Sequence, residues 1–138
     1  MSGTKLKFVP PRQLRKADVN WILKGAEKQE LVGKEEVANS VLAGVLGVLR
    51  MEGDAEGVLL YKQIRHGEGD ELQLWMVSGR GYIVGLDGIV GEFEKFAQEK
   101  KCKWVGCYVS AKGLSRLIER RLKLRPKVWV YRKEIGNG

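Results

Sequence analysis

Apolar and polar positions along this chain repeat in two registers, and each change of register marks a new element. Residues 5–9 (KLKFV) alternate with period two and predict a strand; Pro10 and Pro11 end it, because proline donates nothing to a ladder. Asp18 then sits where a helix N-cap belongs, ahead of Val19, Trp21, Ile22 and Leu23. A second helix is predicted from Lys34 to about Ala43, with Glu35 and Glu36 in its first turn, where negative charge is favourable. Three extended segments follow, at 45–51, 58–64 and 72–78. The stretches between them, EGDAEG and RHGEGD, have the Gly and Asp content of hairpin turns. In the third, Leu72, Leu74 and Met76 alternate with Gln73, Trp75 and Val77, which predicts one purely apolar face.

A glycine-rich bend comes next, and then Ile89, Phe93, Phe96 and Ala97 form one apolar helical stripe. Residues 103–109 (KWVGCYV) read as a short strand, which the intervening helix should make parallel to the strand before it. A helix over 111–122 places Leu114, Leu117, Ile118 and Leu122 inward, and a last strand covers 128–135. The order β-α-α-β-β-β-α-β-α-β predicts a single α+β domain over residues 1–138, with a mixed, mostly antiparallel sheet flanked by helices.

At 138 residues, 43% apolar and 30% charged, the chain can bury a core without staples and is too hydrophobic to be disordered. The longest apolar run, 41–49 (VLAGVLGVL), is short of a membrane span, and no secretory signal is visible. Cys102, Cys107 and the lone His66 are too few for a disulfide framework or a zinc site. A reducing, cytoplasmic setting is expected, with no membrane partner and no metal.

The formal net charge of +8 is concentrated. Lys112, Arg116, Arg120, Arg121, Lys123, Arg125, Lys127, Arg132 and Lys133 are opposed locally by Glu119 alone, while the rest of the chain is balanced. Lys112, Arg116 and Arg120 recur every four residues along the predicted helix. Lys127, Trp129, Tyr131 and Lys133 share one face of the predicted last strand. Basic residues interleaved with aromatics offer phosphate contacts and stacking surfaces, so nucleic acid or an acidic protein surface is the expected partner. The plain alternative is a solvated basic face.

Three segments carry a likeness. The opening LKFVPPRQLRKADVNWI, the strand ELQLWMVSG and the closing SAKGLSRLIERRLKLRPKVWVYRKEI resemble the GNAT N-acyltransferase fold. The strand motif Trp75-Met76-Val77-Ser78 and Trp104-Val105-Gly106 are similar to the short divergent GNAT-like proteins encoded by tailed phages. The resemblance implies acetyl-CoA as cofactor. It places the backbone of Met76, Val77 and Gly79 on the pantetheine arm, and Arg80, Gly81, Gly85 and Gly88 on the diphosphate. Glu71 begins the strand where some enzymes of the family hold a general base, and His66 is the residue here that titrates near neutrality. Their plain readings are an exposed strand-end carboxylate and a solvated loop histidine.

The chain departs from the family in three places. The glycine spacing differs and Asp87 intrudes. Ser110 stands near the position of a cofactor-binding Asn, and Ile118 near that of a general-acid Tyr. These departures lead to the expectation of degenerate or absent catalysis. A virion, assembly or host-directed binding component would then act through the basic C-terminal helix-strand unit. The alternative expectation is an active acetyl-CoA-dependent N-acyltransferase.

Overall fold

A computed structural model describes residues 3–27, 34–108, 125–127 and 130–135. In chain order these form β1 (Thr4–Phe8), a 3-10 turn (Pro11–Gln13), α1 (Lys16–Glu27), α2 (Lys34–Leu42), β2 (Gly47–Gly53), β3 (Glu56–His66) and β4 (Gly69–Arg80). Then come α3 (Leu86–Glu99), β5 (Trp104–Tyr108), β6 (Arg125–Lys127) and β7 (Val130–Glu134). Among the described residues seven strands make one sheet, ordered β1-β2-β3-β4-β5-β7-β6. The β4–β5 pair is parallel, as a helical crossover demands, and the other pairs are antiparallel. This is the mixed α+β architecture that the patterning predicts.

Helices cover both faces of the sheet. On one, α3 lays Ile89, Phe93 and Ala97 against Leu49, Leu59 and Leu72. On the other, Ile22, Ala26, Val37 and Val41 from α1 and α2 meet Val48, Val58, Leu60 and Met76. Gly25 lets α1 settle onto β4: a Cβ there would collide with the side chains of Met76 and Ser78.

Four expectations need correction. The first is the apolar face of β4. Leu60 pairs with Met76 but Tyr61 pairs with Leu74, so Trp75 is an extra, unopposed residue: a β-bulge. The bulge reverses the phase of the strand. Leu72, Leu74 and Val77 therefore face α3, whereas Met76 joins Trp75 on the α1–α2 side. Strict alternation misplaces Met76 because it has no term for the extra residue.

The second concerns Asp18. It is the third residue of α1 and not its N-cap; its Oδ2 accepts the Arg15 backbone N–H at 2.9 Å. It is also buried, and it accepts two hydrogen bonds from Arg50, from Nε at 3.0 Å and from a terminal nitrogen at 2.6 Å.

The third concerns the C-terminal strand. The chain forms two short antiparallel strands in which Lys127 pairs with Val130, so Lys127 lies on β6 and Tyr131 and Lys133 on β7. Lys127 is therefore on a different strand from Tyr131 and Lys133. Pro126 sits in β6, at the sheet edge, where the missing donor costs no ladder bond. The predicted 111–122 helix, with Lys112, Arg116, Arg120 and Arg121, lies outside the described residues, as does Trp129.

The fourth concerns His66. A two-residue turn at 67–68 closes the β3–β4 hairpin, making His66 the last residue of β3 and not part of a solvated loop.

Candidate functional site

Two features of β4 create the site. Its pairing with β5 runs from Glu71↔Trp104 to Leu74↔Cys107 and stops there. β4 continues for six more residues, about 20 Å at strand rise, with no described partner on that side. The bulge at Trp75 falls at this point of departure. A parallel pair that ends in this way leaves the backbone of Met76, Val77 and Gly79 without a described strand partner on that side, the notch referred to below.

Immediately before the notch lies a chain of polar side chains. Glu71 is fully buried, and its Oε1 lies 2.8 Å from His66 Nε2. Gln73 donates to Glu71 Oε2 at 3.4 Å, and the Trp75 indole donates to Gln73 at 2.7 Å. These three residues alternate along β4, so pleating alone stacks their side chains on one face. The His66 ring meets the edge of Trp104 with centroids 5.6 Å apart, and its side chain is 32% exposed. A buried carboxylate is thus linked through one imidazole to solvent. Neither plain reading, exposed carboxylate or free loop histidine, describes the pair.

The glycine-rich bend divides the residues expected to hold a diphosphate. Gly81 has φ +77 and turns the chain out of β4, a conformation that glycine adopts without strain. Gly85 precedes α3 with no side-chain cap on the helix, and both Gly85 and Gly88 face open space. Bare N–H groups at the start of a 14-residue helix suit an anion. Gly79 is different: its missing Cβ is used against the β3 backbone at Glu56 and Gly57, so it serves strand packing. Arg80 is held by Glu56, with Nε–Oε2 at 2.9 Å, and Asp87 lies in the first turn of α3. The start of α3 is accordingly uncapped and open at Gly85 and Gly88, with Asp87 in its first turn and Arg80 engaged by Glu56. Asp87→Asn is expected to tighten acetyl-CoA binding by about 2–5-fold, measured by calorimetry, since a carboxylate near a helix N-terminus competes with the phosphate for the same dipole.

Both cysteines are buried and free. Burial pushes the Cys107 thiol up to about 12. Burial also raises Cys102, to about 11, with Asp70 and Glu71 adding to it and Lys100 opposing. A raised thiol pKa and burial both disfavour the reactive thiolate. Native protein is therefore expected to release almost no thionitrobenzoate from Ellman's reagent until guanidinium unfolds it; prompt labelling of both thiols would contradict the burial. Among the described residues, no cluster of three or more His, Cys, Asp or Glu is placed to hold a metal, and no helix is long and apolar enough to cross a membrane.

The architecture has solved counterparts. A protein assigned to the GNAT acetyltransferase family from Desulfovibrio desulfuricans superposes with TM-score 0.64 at 10% identity, over 97% of this chain and 100% of that one. Ard1 from Thermoplasma volcanium gives 0.60 at 8% identity, covering 98% and 99%. The NatC complex bound to Gag peptide and CoA gives 0.59 at 12%, covering 94% and 96%. The chain has the GNAT acetyltransferase fold. No family model matches the sequence, and no curated protein matches it.

Proposed function

We propose that this protein is an acyl-CoA-dependent N-acyltransferase in which Glu71 is the general base. The observation that carries the reading is the placement of buried Glu71 on β4, against His66 at the end of β3 and three residues before the last pairing of β4 with β5. A base on the strand that frames the notch needs only a short approach, directly or through one water, to an amine entering there. The fold likeness and the CoA in the NatC structure support the choice of cofactor.

Bound acetyl-CoA supplies the acyl group as a thioester. The backbone of Met76 and Val77 would hold the pantetheine amides as an added strand would, and the uncapped start of α3, with Gly81, Gly85 and Gly88, would take the diphosphate. In its Nε2–H tautomer His66 donates to Glu71 Oε1 and holds the carboxylate in place. With the thioester bound, Glu71 would take the proton that the attacking amine loses. No Asn or Tyr from the 111–122 segment is needed in this scheme. Positioning and proton removal carry the chemistry.

The expectation of degenerate catalysis rested on the missing Asn and Tyr and on the glycine spacing; the Glu71–His66 pair points the other way. A phage origin and a virion role have no support in the likenesses and form no part of the proposal. Calorimetric titration with acetyl-CoA, followed by thiol release with a panel of amines and peptides, tests it. Micromolar binding and amine-dependent release are expected, and a silent titration would sink the enzyme reading.

A further inference from the structure

We propose that a cavity on the β1–β2 side of the sheet is a binding site for a small apolar carboxylate, separate from the notch. The cavity holds about 310 Å³ and lies where β1 ends and β2 begins, with Phe8, Val9, Val45 and Val48 among its walls. That volume is at the lower end for small-molecule sites, and Phe8 and Val45, 44% and 51% exposed, leave the mouth open.

Three polar side chains line it; Gln63 already donates to Asp70 at 2.9 Å, and the other two give the cavity its chemical character. Tyr61 lines it, with its ring against the bare Cα of Gly47, and is 6% exposed. Among the described residues its hydroxyl has no hydrogen-bond partner, although buried polar groups nearly always have one. Burial, with a smaller contribution from Cys102, pushes this phenol up to about 12, so it stays a neutral donor. The second group is Lys100, whose Nζ lies 5.5 Å from the Phe8 ring centre and 5.4 Å from that of Phe96. Phe96 in turn packs edge-on against Tyr61 at 5.3 Å, so one aromatic joins the cation to the phenol. No carboxylate pairs with Lys100 among the described residues, and ring faces attract an ammonium without accepting its hydrogen bonds in the way an anion does.

A ligand that satisfies both must accept from a phenol, oppose a lysine and fill a space walled by valine and phenylalanine. An apolar body bearing one carboxylate does all three. Phosphate has no body for the apolar walls, and an amine would be repelled by Lys100.

Benzoate is the probe, titrated into the full chain while amide and side-chain NMR resonances are followed. Expected are saturable shifts confined to Phe8, Val45, Tyr61 and Lys100, at least tenfold weaker binding of the neutral isostere benzamide, and none of inorganic phosphate. Tyr61→Phe, which keeps the ring, and Lys100→Met, on an exposed side chain, should each weaken benzoate about tenfold or more. Acetyl-CoA binding by the same variants is expected to be unchanged, which separates this site from the notch. Equal affinity for benzoate and benzamide would overturn the proposal. So would an absence of shifts at tens of millimolar, or a crystal structure from benzoate-soaked crystals with only water on the Tyr61 hydroxyl.

Discussion

If the proposed acyl transfer is this protein's activity, replacing Glu71 with Gln is expected to lower its kcat by about 10²–10⁴-fold and to leave acetyl-CoA affinity nearly unchanged. The size follows from what the side chain does. An amine is protonated near neutrality and attacks a thioester only after losing a proton, so the base acts on the step that forms the new bond. Glutamine keeps the volume, and its amide still meets His66 Nε2 and Gln73, so the buried site stays packed. What it lacks is an anionic oxygen. His66→Gln should fall between wild type and Glu71→Gln, because its amide nitrogen can still donate to Oε1, whereas His66→Leu removes that donor and costs more. The pattern distinguishes a positioning role for His66 from a purely structural one: kcat responds, and KM for acetyl-CoA does not. The measurement is thiol release at saturating acetyl-CoA with an accepted amine. A Glu71→Gln enzyme of wild-type rate would remove Glu71 from the mechanism.

How much of this was legible in the sequence depends on the range of the interaction. Strand and helix periodicities are local, and the predicted order matches the observed elements through β5, with boundaries that shift where strands extend into their turns. The Glu71–His66 contact was within reach. A two-residue turn at 67–68 sets His66 opposite Gly69 and puts its side chain diagonal to Glu71, so assigning the turn assigns the pair. The bulge was not within reach, since nothing in QLWMV marks Trp75 as the extra residue; pairing with β3 on one side and loss of β5 on the other select it. Glycines gave a mixed return. Gly81 was identified by the bend itself, but Gly79 belongs to strand packing, because a bare Cα reads the same whether a ligand or another backbone approaches it. Nothing in the sequence distinguishes Tyr61 from other strand aromatics; only the absence of a described partner for its hydroxyl sets it apart.

Arg50 carried the clearest unread signal, a charged residue among Val48, Leu49 and Met51 in a strand otherwise bound for the core. An arginine there demands an anion, and the one it meets is Asp18, the residue that the patterning places at a helix N-cap. Asp18 and Arg50 are 2% and 7% exposed and joined by two hydrogen bonds, fastening the first turn of α1 to β2. Removing one partner strands the other charge in the interior, which typically costs about 3–5 kcal/mol. For a chain of this length that lowers Tm by about 10–20 °C. Arg50→Met and Asp18→Asn are both expected in this range, and the double variant is expected to be less destabilised than the sum, since no buried charge is left unpaired. Strict additivity of the two losses would show that the contact contributes nothing as a pair.

The pH dependence follows from the same geometry. Burial alone would raise the Asp18 carboxyl, but the hydrogen bond from Arg50, the Arg15 N–H and the two positive charges outweigh it and hold the group below its ordinary 3.8. A depressed folded-state value contributes stability in full above the unfolded value and loses it as pH falls through the folded one. The stability gap between wild type and Asp18→Asn, read by denaturant melts, should therefore be constant from neutrality down to about pH 5 and close only below 3.8. A gap that closes instead between pH 5 and 7 would mean that another group sets it, and that the α1–β2 clamp is not the ion pair.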